Sequence, residues 1–389
     1  MEEVRRKKIN AEKIIRILTG ILVLSAITGG ILWVQQKRGH EYAGYEVLSE
    51  QGISSGLTGV VQGKNELLLC SNDGAKAINQ KGEVQWEISY QLDNPAITYC
   101  QDVAAVADIG GRSVYVVAEN GIPYHYEVIY PIVKHEVAAQ GVTAVLLDNE
   151  TEDFIQLYDI NGTLRVDINT KTKTDGIPID IALSEDGKKL VTLYVTFQGD
   201  AMICKVTFYN AGEVGKNYNS NVVGQTIFPD NLLAYDVCFL NADTVCVLLE
   251  NGFRIFRLTE VPELVLEKTL EEEVVEVLCV ENGLYIVKED AMKQRTLTFY
   301  NAKGEAKASW DEIPDYERLS ATEDEVIFTS PQSAVIYRSN RSLKFGSTFD
   351  QSVEAVFPAG GDRYFLVDSG TVRTIRLTDD EKKEESREK

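Results

Sequence analysis

Turn signals recur through this 389-residue chain at a spacing that few folds share. Lys81-Gly82, Asn120-Gly121, Asn161-Gly162, Ala211-Gly212 and Lys303-Gly304 each close a short apolar run. Glu260-Val261-Pro262 and Asn340-Arg341 hold the same place without a glycine. From position 82 the steps to 121, 162, 212, 261, 304 and 341 are 39, 41, 50, 49, 43 and 37 residues. The runs, among them NELLLCSNDG, SVYVVAENG, FIQLYDING and RTLTFYNAKG, are rich in the residues that suit strands with buried faces. No long amphipathic helical pattern follows residue 38. A period of ~40 to 50 residues with several strands per unit predicts an all-β chain folded as a β-propeller. One small sheet cannot bury both of its faces alone, and closing a ring of sheets solves this.

The pattern resolves into eight units. Seven contain recognisable hairpins. The eighth, AVFPAGGDRYFLVDSGTVRTIRL, supplies three strands and ends at Leu377. Tyr42 to Leu48, YAGYEVL, reads as an outer strand with no blade of its own. Pairing it with the strand around Thr371 to Leu377 closes the ring and removes an exposed sheet edge. The expectation is an eight-bladed propeller over residues 42–377, with seven blades the alternative if the long steps between 162 and 261 conceal other boundaries.

Some blades carry family features. Residues 72 to 86, NDGAKAINQKGEVQW, resemble a pyrroloquinoline-quinone-type propeller repeat, and residues 301 to 310, NAKGEAKASW, echo its second half. Residues 180 to 195, DIALSEDGKKLVTLYV, resemble the strand–turn–strand of WD-like propellers. The overall layout is similar to an uncharacterised family of clostridial membrane-anchored propeller proteins. That family carries no established activity, so the resemblance implies a fold and a layout and nothing about chemistry. Enzymes of the first type typically use a bound calcium, an acidic base and stacking aromatics, and sometimes a vicinal cysteine pair, which is missing here, and Trp86 and Trp310 stand where blade-packing tryptophans belong. No cofactor is expected.

Ahead of the repeats, Ile17 to Val34 runs 18 residues without a charge, close to the length that crosses a bilayer as a helix. Arg5, Arg6, Lys7, Lys8, Lys13 and Arg16 precede it, and only Lys37 and Arg38 follow closely. Positive charge stays on the cytoplasmic side, so the propeller is expected outside the cytoplasm. A cleaved signal peptide is the rival reading, with Thr28, Gly29 and Gly30 as a small-residue cleavage region. Against it, the apolar run resumes at Ile31, and Trp33 suits the outer interface. The expected plan is a basic cytoplasmic tail over 1–13 and a transmembrane anchor over 14–36, built on Ile17, Leu22, Leu24, Ile31 and Trp33. A linker over 37–41 leads to the propeller, and a charged, disordered tail covers 378–389.

Charge narrows the partners. The formal net charge is −21, and the first 38 residues contribute +5, leaving −26 on the remainder. Such a field repels nucleic acid and anionic headgroups. The six cysteines, Cys70, Cys100, Cys204, Cys238, Cys246 and Cys279, lie within strand-like runs, which suits buried free thiols. Disulfides remain open outside the cytoplasm, and Cys238 and Cys246 flank a turn symmetrically enough to face each other across a hairpin.

Catalytic patterns fail on context. Gly52-Ile53-Ser54-Ser55-Gly56 fits G-x-S-x-G, but a nucleophile elbow needs a helix after the serine, and a strand-like run follows. The acidic loop from Asp148 to Asp153 lacks the glycine and spacing of an EF-hand. Three histidines supply no metal cluster. Tyr124, Tyr126 and Tyr130 share one face of a regular strand, where they offer an aromatic binding shelf or, more simply, blade packing. The reading is a non-catalytic binding or scaffolding module for other envelope proteins or peptides. The alternative is an enzyme, a quinone-type oxidoreductase or hydrolase, with its site in the central channel.

Overall fold

A computed structural model describes residues 39–53, 56–118, 120–149 and 151–380. They form eight antiparallel sheets of four strands each, arranged as the blades of a propeller. In blades 1 to 7 the strands run from the centre outward in chain order. The innermost strands are Leu57–Gln62, Pro95–Cys100, Ile132–Val137, Ile177–Leu183, Ala234–Asn241, Glu273–Val280, Arg318–Ala321 and Ala355–Gly360. Blade 8 is completed from the other end of the chain. Its third strand, Thr371–Thr378, pairs with Gly44–Gly52, so that Tyr45 lies opposite Leu377 and Gly52 opposite Thr371. The eight-bladed count and the closing strand both stand as the repeats predict. The two long steps are explained by blade 4, whose second and third strands, Lys189–Gln198 and Ala201–Asn210, are ten residues each. Short 3₁₀ turns between 215 and 221 add the rest.

Hydrophobic clusters of the described residues sit at the blade interfaces, one at each of the eight. Leu67, Leu69 and Ile78 of blade 1 meet Ala355, Phe365 and Val372 of blade 8, so the ring is sealed. Each sheet thus buries both faces against its neighbours, as a small sheet must.

The recurring turn joins the third and outer strands, and its chemistry is visible. The Asn79 side-chain oxygen accepts the Lys81 and Glu83 backbone N–H groups at 2.9 and 3.0 Å, and Asp159 and Asn301 repeat the arrangement. Gly162 holds φ at +78°, and a Cβ there would come within 2.5 Å of Tyr126 on the outer strand of the preceding blade. The glycine period is therefore the period of blade-to-blade contact. Blade 7 departs from it: Arg341 adopts φ 70° at the equivalent place, with its guanidinium at 3.4 Å from the Ser309 carbonyl of blade 6.

The meander gives the disc two distinct faces. Turns joining first to second and third to outer strands lie on one face. Turns joining second to third strands, and the links from each outer strand to the next blade, lie on the other. Gly44 begins the closing strand on the first face, beside Thr378, and Gly52 ends it on the second. The chain thus enters on the first face. Residues 39–41 of the expected linker pack there against blade 7, where the Arg338 guanidinium donates to the His40 carbonyl, and the Tyr42 N–H donates to Lys344 O at 2.9 Å.

The anchor residues Ile17, Leu22, Leu24, Ile31 and Trp33 lie outside the described residues, as do Ser54 and the tail from 381. Among the described residues no helix is long and apolar enough to cross a membrane. The cysteines give one correction. Cys238 and Cys246 do stand opposite each other, but Cys238 is disulfide-bonded to Cys279 of the next blade, with Cα atoms 6.7 Å apart. Cys70, Cys204 and Cys246 are buried free thiols, and Cys100 is half-buried.

Candidate functional site

The innermost strands of blades 3 to 6 share an irregularity near their starts. Each slips register by one residue against its neighbour, skipping Val133, Ile179, Tyr235 and Val275. A bulge of this kind re-aims the side chains around it. The residue after each skip is charged: Lys134, Asp180, Asp236 and Glu276. Blade 1 has the same slip at Thr58, followed by Gly59, with no charge. Blades 2 and 7 pair without a slip. One arc of the ring is therefore built differently from the rest.

Asp180 anchors that arc and is only 4% exposed. It forms an ion pair with Lys134 of blade 3. Its Oδ1 accepts the Ile181 N–H at 2.9 Å, and its Oδ2 accepts the Val237 N–H of blade 5 at 2.8 Å. One carboxylate thus ties three blades, with its lone pairs satisfied as a buried charge requires. Burial works against the Lys134 ammonium, but the Asp180 and Glu136 carboxylates outweigh it and hold its pKa above the usual value. Burial lifts Asp236 above the ordinary carboxylate range, and a hydrogen bond to Asp180 adds to this. Glu136, with Lys134 3.9 Å away, is likewise pushed up to about 7, mainly by burial.

Next to this cluster lies an open cleft of about 580 Å³ between blades 5 and 6. Tyr235, Asp236, Glu250, Glu273, Val275 and Glu276 line it. Glu276 accepts the Tyr316 hydroxyl at 2.8 Å. The cleft opens on the second face, away from where the chain enters, because it lies at the starts of inner strands and beside a second-to-third turn. The inter-blade disulfide joins the same two strands, on the side of Asp236 and Glu276 remote from that face. Among the described residues no group of His, Cys, Asp and Glu is arranged to hold a metal ion. The arrangement can bind cations and apolar groups together.

The sequence-derived candidates lie elsewhere. Tyr124 and Tyr126 stand on one face of the outer strand Pro123–Glu127, but Tyr130 falls beyond its end. All three are half-buried and pack on the core shared by blades 2 and 3, with Tyr126 5.2 Å from Tyr158 and Tyr130 5.1 Å from Phe154 between ring centres. Trp86 and Trp310 occupy blade interfaces, as expected. The charged arc escapes a sequence reading because Lys134, Asp180, Asp236 and Glu276 are separated by irregular steps. Only the bulge makes them equivalent.

The chain belongs to DUF5711, a family of unknown function, whose model matches residues 38–377. No curated protein matches it in sequence. Among solved structures it is similar to BamB from Moraxella catarrhalis, at a TM-score of 0.53 and 10% identity, over 86% of this chain and 100% of that one. It is similar also to apo AztD from Citrobacter koseri, at 0.52 and 12% identity, over 76% of this chain and 87% of that one. At such identities the likeness is one of fold.

Proposed function

We propose that this DUF5711 propeller is a non-catalytic binding module, held at the outer surface of the cell membrane by a helix over residues 14–36 and offering one face to other envelope proteins or peptides. The observation that carries the reading is the geometry of entry. The chain reaches the propeller on one face, and the acidic, partly apolar cleft opens on the other. A tether at residue 38 therefore turns the cleft toward the surroundings and raises its local concentration there. The Cys238–Cys279 disulfide supports a location outside the cytoplasm, where such bonds persist. The basic residues ahead of the apolar run support the same orientation.

Labelling tests the topology. Asp200, exposed at the tip of the blade-4 hairpin, is replaced in an Asp200→Cys variant. A membrane-impermeant maleimide added to intact cells should label it to the same extent as in lysed cells. Labelling that requires lysis would overturn the reading.

A further inference from the structure

The bulged arc exposes apolar side chains where a channel wall gains nothing from them. Val133, Ile179, Tyr235 and Val275 are 47, 38, 39 and 41% exposed. The ten-residue hairpin of blade 4 adds Phe197, and the end of its outer strand adds Ile227, each 66% exposed on the same face. Grouped exposed apolar side chains rimmed by charge mark interaction sites. The charge is one-sided. Asp236, Glu250, Glu273 and Glu276 line the cleft with no Lys or Arg among its lining residues, and Lys134 is already paired with Asp180.

We propose that the channel mouth over blades 3 to 6 docks a basic, extended segment of a partner protein in which Lys or Arg alternates with apolar side chains. The proposal rests on the binding-module reading and names the chemistry of its partner. A segment crossing the arc meets one apolar bulge residue per blade, and carboxylates beside it in blades 5 and 6. Its apolar side chains cover Ile179, Tyr235 and Val275, and its cations face Glu250, Glu273 and Glu276. Blades 2 and 7 lack both parts of this pattern, and blade 8 slips only at the far end of its inner strand, at the buried Ala359 with no charge after it, so the site is confined to one half of the ring. Charge complementarity excludes nucleic acid and anionic lipid from the same surface.

The test uses the full chain in neutral detergent micelles and a fluorescent, end-blocked (Lys-Val)4 peptide, with chain-free micelles as blank. Saturable binding that weakens as salt rises is expected, since the cleft charges are screened. The Tyr235→Ser, Val275→Ser double variant should lose about tenfold in affinity. The Glu250→Gln, Glu273→Gln variant should lose affinity and most of the salt dependence. A Val84→Ser variant, on the outer strand of blade 1, should bind as the parent does, and thermal melting confirms that each variant is folded. Absence of saturable binding, equal binding of (Lys-Ser)4, (Glu-Val)4 or spermine, or indifference to the Tyr235/Val275 change in folded protein would each overturn the proposal. Outside labelling of position 200 together with no peptide binding would remove this partner while leaving the tethered module standing. Labelling only after lysis would remove the tether, whatever the peptide does.

Discussion

Blade 8 and the seam between blades 5 and 6 hold the ring by different means. Blade 8 is closed without a covalent bond. Gly44–Gly52 lays a full strand along Thr371–Thr378, and Tyr45 enters a core with Phe345, Phe349 and Leu377. Polar groups reinforce it: the buried Lys344 ammonium donates to Glu325 at 2.6 Å, and the Tyr364 hydroxyl donates to the same carboxylate at 2.8 Å. The seam of blades 5 and 6 has carboxylates crowded along its inner strands and a disulfide between equivalent parts of those strands. The comparison teaches that this ring spends backbone pairing where opposite ends of the chain must meet. It places a covalent tie at the seam whose inner strands open into a carboxylate-lined cleft.

Removing the closing strand should have the largest effect. A chain lacking residues 39–52 leaves Thr371–Thr378 as an open edge and uncovers the Tyr45 pocket. It should lose cooperative thermal unfolding, followed by circular dichroism. An unchanged melting curve would break the account of blade 8.

Cutting the covalent tie should matter less. The bond closes a loop of sequence separation 41. Its loss in a Cys238→Ser, Cys279→Ser variant should cost roughly 2–4 kcal/mol in denaturant unfolding. An unchanged unfolding midpoint would break the account of this seam.

The smallest effect concerns Glu136. Its pKa in the folded chain is raised from 4.5 to about 7, so between those values the folded form keeps a proton that the unfolded form has released. Stability therefore falls as pH rises through that window. The buried His135, pushed down to about 4, works in the opposite direction between there and 6.5, and the raised Asp236 acts in the same direction as Glu136, so the parent's own curve mixes all three. The difference between parent and Glu136→Gln isolates the carboxylate. The variant should match the parent near pH 4 and exceed it by about 1 kcal/mol at pH 8, after discounting for partial exposure. A constant difference across pH would sink the assignment.

The sequence made the ring legible because its punctuation has a physical cause. Gly82, Gly121, Gly162 and Gly304 recur where a turn needs a positive φ and where the preceding blade comes close. Tyr42 to Leu48 stood out as a strand without a blade, and the paired strand is Gly44–Gly52, shifted by a few residues. The candidate site was not legible. Val133, Ile179, Tyr235 and Val275 look like ordinary core residues in a strand, and only the slip in pairing turns them outward. The disulfide was hidden for a related reason. Hairpin symmetry points Cys238 at Cys246, whereas the bond crosses to another sheet, and which blades abut at Cys279 is a property of the closed ring.

The closing strand also sets an order of events. Gly44–Gly52 is among the first parts of the propeller to be synthesised, and its partner Thr371–Thr378 is among the last. Contacts so distant in the chain form late, because loop-closure entropy must be met before they contribute. Seven blades can assemble by adding each to its neighbour, while the first strand waits unpaired with Tyr45 uncovered. Ring closure is thus available only once synthesis has passed Thr378. A chain stalled before Thr371 keeps two open edges.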